Sequence, residues 1–180
     1  MKGIIFKEFL IMVEDKFGYE MVDNIITDSK LPNDGAYTSV GTYPHTEIVA
    51  LVSNLSKYSK ISVPQLLGIY GEHAFGIFAI AYANMINQYH TAFEFLSHVE
   101  DTIHVEVLKL YPEAELPSLK TIEKNSNKMI MHYQSTRAMS DFAIGLMNGC
   151  LNHFKESATI TKLPLKEDQT EVQFTLTINV

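Results

Sequence analysis

SLKTIEKNSNKMIMHYQSTR, residues 118–137, is the stretch in which the chain stops reading as helix and starts reading as sheet. Ser118–Lys124 and Lys128–Ser135 carry strand-forming residues, and Asn125-Ser126-Asn127 between them supplies turn chemistry, so a hairpin is expected. Downstream, residues 139–155 (MSDFAIGLMNGCLNHFK) return to a helical pattern. Two more strands follow, Ser157–Leu165 and Thr170–Ile178, the second with Val172, Phe174, Leu176 and Ile178 in strict alternation.

Upstream of that stretch the chain reads helical. Residues 4–16 set Ile5, Phe9, Met12 and Val13 on one face, and a second helix over Tyr19–Thr27 ends before the turn Leu31-Pro32-Asn33-Asp34-Gly35. A loop over 33–44 leads to a third helix, Thr46–Lys57. Ser62 as N-cap with Pro64 in the first turn opens a long helix to about Tyr82. That helix contains Gly68, Gly71 and Gly76, each costing up to ~1 kcal/mol relative to Ala, which calls for a close-packing or hinge explanation. Thr91 with Glu94 has capping-box form and starts a helix running to about Leu110, before Pro112. The expected fold class is α+β: an N-terminal helical subdomain, then a C-terminal antiparallel β-sheet with one inserted helix. With no repeat or linker, residues 1–180 are expected to form one domain.

Composition narrows the function classes. The net charge is -7, which repels phosphate backbones and anionic lipid, so neither nucleic acid nor a membrane surface is expected as a partner. No run approaches the ~18 consecutive apolar residues of a spanning helix. Charged residues interrupt the apolar N-terminal stretch, which is read as the first helix and not as a signal peptide. A single cysteine, Cys150, excludes an internal disulfide or a multi-cysteine zinc site within one chain. The expectation is a cytoplasmic protein.

Two constellations can carry chemistry. On the helix 91–110, Phe93, Leu96, Ile103, Val107, Leu108 and Tyr111 form an apolar stripe with His104 inside it. A histidine so placed can hold a heme iron through a neutral ring nitrogen, or can equally be a core histidine bonded to a carbonyl. The second constellation is Tyr133-x-Ser135-x-Arg137. Alternate side chains of a strand share a face, so all three point the same way and offer two hydroxyls and a guanidinium fork to a carboxylate-bearing ligand; a solvated strand face is the plain alternative.

Taken together, a helical histidine and a Tyr-x-Ser-x-Arg triplet some thirty residues later resemble the H-NOX (heme-nitric oxide/oxygen binding) family, of the bacterial stand-alone type. The resemblance extends to the opening Met1-Lys2-Gly3-Ile4-Ile5-Phe6, to Leu110-Tyr111-Pro112, Leu116-Pro117 and Phe142-Ala143-Ile144-Gly145-Leu146. It implies heme b (iron protoporphyrin IX) lying between the two halves, His104 as its iron ligand, and Tyr133, Ser135 and Arg137 clamping the propionates. Ile5 and Pro117 match residues that press on the porphyrin, and Gly71 matches a hinge glycine. Phe9, Ala74, Phe78, Phe142 and Leu146 are the implied distal neighbours.

Stable oxygen binders in this family carry a distal tyrosine five residues beyond the arginine, where this chain has Phe142. None of the named distal neighbours carries a donor, so the resemblance implies a nitric oxide sensor, also taking carbon monoxide, and not an oxygen carrier or enzyme. An imidazole from His73, beside Ala74, would alter that reading. The implied output is a conformational change read by a histidine kinase or a cyclic-di-GMP enzyme. The alternatives are an oxygen-binding heme protein, a heme redox enzyme, which would need a distal acid–base pair, and a heme-free binding module.

Overall fold

The computed structural model describes residues 1–179. Its helices are α1 (Gly3–Phe17), α2 (Tyr19–Ser29), α3 (His45–Ser59), α4 (Val63–Ala81), α5 (Ala83–Ile86), α6 (Ala92–Ser97), α7 (His104–Leu110) and α8 (Ser140–His153). The strands are β1 (Ser118–Lys124), β2 (Lys128–Gln134), β3 (Ala158–Pro164) and β4 (Glu171–Ile178). They form one antiparallel sheet of order β1-β2-β4-β3, with α8 as the connection between β2 and β3. The expected α+β class and element order are therefore present. Among the described residues, no helix is long and apolar enough to cross a membrane.

Alternation along the strands decides what the sheet covers. Met129, Met131 and Tyr133 on β2 and Val172, Phe174 and Leu176 on β4 are all buried, and they pack with Met147, Cys150 and Leu151 of α8. A second core holds α1 to α4 together through Phe6, Phe9, Ile25, Leu51, Leu66 and Tyr70. The buried Tyr70 hydroxyl donates to the backbone carbonyl of Ile5, tying α4 to α1. On β1 the register slips between Thr121 and Glu123, leaving Ile122 bulged out and 65% exposed.

The two cores meet where α4 crosses α8. A Cβ built on Gly71 would lie 2.2 Å from the Phe142 carbonyl oxygen, and one on Gly145 would lie 2.2 Å from the Gly68 carbonyl oxygen. Gly71 thus has a packing reason: two helix backbones touch with no side chain between them. Gly76 has none, since a Cβ there meets nothing within 4 Å.

The expected continuous helix over 91–110 is divided. Thr91 caps α6 by accepting from the Glu94 backbone N–H at 3.1 Å, but the Glu94 carboxylate accepts from His90 rather than closing a box on Thr91. After Ser97 the chain makes a π-helical turn, Val99–Ile103, with Ile103 N bonded to His98 O and His104 N to Val99 O, before α7 begins. The extra residue in such a turn rotates everything after it by about 100° relative to an uninterrupted α-helix. The predicted stripe is broken accordingly: Phe93 joins the sheet-side core, whereas Leu108 faces outward, 40% exposed.

Candidate functional site

Helices α1, α4 and α8, the segment 92–111, the start of β1 and the end of β2 surround a mostly apolar cavity of about 610 Å³. That falls within the roughly 300–1,000 Å³ typical of cofactor and small-molecule sites. His104 lines it from α7, with Ile103 and Val107 beside it. Ile5, Phe78, Phe142 and Leu146 line it from α1, α4 and α8, and Pro117 from the segment before β1.

His104 opens α7 at the end of the π turn, and its side chain is 17% exposed. Burial holds its imidazole below the ordinary histidine pKa, with the nearby Glu100 carboxylate pulling the other way. Its Nδ1 lies 3.4 Å from Glu100 Oε2, within ion-pair contact but longer than the usual hydrogen bond of about 2.7–3.2 Å. A neutral ring whose Nδ1 faces a carboxylate has Nε2 available as a metal ligand.

Tyr133, Ser135 and Arg137 also reach the cavity, but not from a shared strand face. Strand β2 ends at Gln134, and Ser135–Arg137 fold into a turn in which the Arg137 backbone N–H donates to Ser135 Oγ at 3.2 Å. The turn, and not strand alternation, gathers the three groups. Burial raises the pKa of the Tyr133 hydroxyl, with Ser135, the Met139 backbone and Arg137 pulling the other way. The Arg137 guanidinium, 12% exposed, already holds a carboxylate. Its Nη1 donates to the Glu115 carbonyl at 2.7 Å and its Nη2 to Glu115 Oε2 at 2.8 Å, although the Glu115 side chain itself is 84% exposed. Such a fork accepts an exchange of one carboxylate for another. A prosthetic group with an apolar body, acidic substituents and a metal seeking one imidazole fits this donor set.

Two residues of the implied distal set lie elsewhere. Phe9 and Ala74 do not line the cavity; both are buried in the N-terminal core, where the Phe9 ring packs edge-on against Tyr70 at 5.2 Å. His73 is not a wall residue either, and its Nε2 is buried without a hydrogen-bond partner in the protein. Among residues the sequence reasoning missed, Phe75, Met85, Phe95 and Met147 are apolar and carry no signal separating a cavity wall from a core. Tyr82 is a more consequential addition. Burial, with the neighbouring Tyr111 hydroxyl as a lesser cause, pushes its pKa up to about 12. The cavity therefore contains hydroxyls beyond the donor-free set named from the sequence. Among the described residues, no cluster of three or more His, Cys, Asp or Glu could hold a metal ion, and His45 is a second imidazole on the cavity wall.

Fold and site together define a heme-based gas-sensing domain. The chain belongs to the haem-NO-binding family, the H-NOX proteins: the family model matches residues 2–162. It is similar to the Fe(II) unliganded H-NOX protein from K. algicida, with 48% identity over 100% of this chain and 97% of that one, TM-score 0.96. It is also similar to the H-NOX from Shewanella woodyi in its IWP-051-bound Fe(II)CO state, with 38% identity over 98% and 94% of the two chains, TM-score 0.83. The S. oneidensis H-NOX protein in the Fe(II)NO state shares the fold at TM-score 0.91 with 23% identity, each chain covered completely. A search among curated proteins found no match.

Proposed function

We propose that this protein is a nitric oxide sensor that uses heme b without turning over a substrate. The observation carrying the reading is the convergence, in one apolar cavity of about 610 Å³, of the His104 imidazole and a carboxylate-gripping arginine. His104 would hold the iron. Tyr133, Ser135 and Arg137 hold the propionates, with Arg137 releasing Glu115 to do so. Heme, when bound, would supply a ferrous iron able to take nitric oxide or carbon monoxide.

What the chain does with that is mechanical. His104 is the first residue of α7, so as the residue holding the iron it would pass any change in that hold to the helix that the π turn joins to α6. Ile5 and Pro117, both on the cavity wall, relax with it, and the N-terminal helices shift against the sheet. The two states differ in contacts made to the ligand, which is what allows a ligand to shift their balance. The surface so altered is read by a histidine kinase or a cyclic-di-GMP enzyme, in the cytoplasm. The ferrous carbonyl state of the S. woodyi relative supports the gas-binding part of this reading.

The test is the absorption spectrum of anaerobically reduced, heme-loaded protein, before and after nitric oxide and then air. A five-coordinate ferrous Soret band that changes with nitric oxide and leaves no stable oxygen complex is the expected result. No Soret band after hemin addition overturns it.

Oxygen discrimination gives a sharper prediction at Phe142, which stands on the cavity wall with its ring 5.0 Å from Tyr70. Phe142→Tyr adds one hydroxyl donor there. A hydrogen bond to a charged acceptor is worth about 1.5–3 kcal/mol. Oxygen loss, followed by stopped-flow absorbance, is therefore expected to slow by roughly ten- to a hundredfold. An unchanged rate would place Phe142 away from the gas.

A further inference from the structure

Glu100 sits in the π turn, four residues before His104, and its carboxylate is held at both oxygens. Ser118 Oγ donates to Oε1 at 3.0 Å, and the Leu119 backbone N–H donates to Oε2 at 2.7 Å. The same Oε2 lies 3.4 Å from His104 Nδ1. Two anchors from the first residues of β1 thus fix one carboxylate against the ring nitrogen that faces away from any ligand at Nε2. The anchoring residues follow directly on Pro117, itself a cavity-wall residue.

We propose that Glu100 is the positioning residue for His104: it sets the imidazole's tautomer and orientation and makes it a more strongly donating ligand. The role rests on the reading of His104 as the heme ligand. An anionic acceptor on Nδ1–H leaves negative character on the ring, which strengthens donation from Nε2 and favours the oxidised metal. Anchoring by Ser118 and Leu119 matters because a carboxylate free to swing would pair with solvent and hold nothing in place. The same anchoring ties ring orientation to the start of β1, so His104 cannot rotate without disturbing the segment that carries Pro117.

The experiment compares full-length heme-loaded wild type with Glu100→Gln, Glu100→Ala and Ser118→Ala. The readouts are the iron–histidine stretch of the reduced protein by resonance Raman, the midpoint potential, and the rate of heme transfer to an excess of apomyoglobin. Glu100→Ala is expected to lower the stretching frequency, raise the potential and speed heme loss by roughly 10- to 100-fold, the usual cost of removing such an outer partner. Glu100→Gln keeps an acceptor for Leu119 N–H, so it is expected to recover heme retention while leaving the stretch low and the potential high. Ser118→Ala is expected to shift stretch and potential in the same direction by less. An iron–histidine band present in wild type and unmoved in both Glu100 variants overturns this role alone. A heme-loaded wild type with no such band overturns both this role and the ligand assignment beneath it.

Discussion

Replacement of His104 by Gly is expected to strip the protein of heme unless imidazole is added back. Loss of the donor assigned to the iron should cost more than the roughly 10- to 100-fold penalty of losing a partner outside the ligand set. Free imidazole at millimolar concentration can enter the space the side chain leaves and restore the Soret band. Beyond the stabilisation lost with the heme itself, the backbone should contribute little, because Gly at the first position of a short helix costs at most ~1 kcal/mol. The restored protein separates the ligand from the backbone of α7. Its amide resonances over residues 99–111 should then match those of wild type after nitric oxide, and adding the gas should move them no further. If those amides still respond to nitric oxide in the rescued protein, release of His104 is not what moves the helix.

The second large effect lies away from the cavity, at Gly145. A Cβ there would stand 2.2 Å from the Gly68 carbonyl oxygen and 2.8 Å from Gly71 Cα. Both obstacles are backbone, so no side chain can rotate away and the helices must part. Gly145→Ala is therefore expected to cost about 1–3 kcal/mol by overpacking, despite the gain in helix propensity. For a chain of this size that lowers Tm by roughly 2–4 °C per kcal/mol. Gly76→Ala, also on a helix but exposed with nothing within 4 Å, should go the other way and raise stability by up to ~1 kcal/mol. Opposite signs for the same chemical change would isolate the crossing as the cause; two stabilising results would show that α4 and α8 separate freely. Because Phe78 rides on α4 and Phe142 and Leu146 on α8, the destabilised variant should also bind heme more weakly.

Much of the fold was legible because period alone reports it. Alternation in 171–178 and the change of pattern at Ser118 reflect which side chains meet a core, and the strands follow. The π turn was not legible, since inserting one residue into a helical turn leaves the same apolar residues in the same order; only the backbone bonds reveal the rotation. That explains the misplacement of Leu108. The Tyr133–Arg137 triplet was found by its residue types, yet the mechanism that gathers it was misread, because Ser135 and Arg137 lie in a turn past the strand end. Phe9 and Ala74 fell on the wrong side of a wall, where one turn of helix separates lining from core and both are apolar. Glu100 escaped notice altogether: its anchors, Ser118 and Leu119, are far along the chain, and no local pattern couples an acid on a helix to the first residues of a strand.

The bulge at Ile122 also bears on how the molecule tolerates concentration. The sheet order leaves β1 and β3 as its two edges, and open edges are where one chain can recruit another into a growing fibril. On β1 the slipped register interrupts the regular run of free amides beside Lys120, Glu123 and Lys124, so an incoming strand finds neither a matching ladder nor a neutral surface. On β3, Lys162 and the donor-less Pro164 blunt the far end. Both margins are self-protected, which leaves the helical half free to move without exposing a template for aggregation.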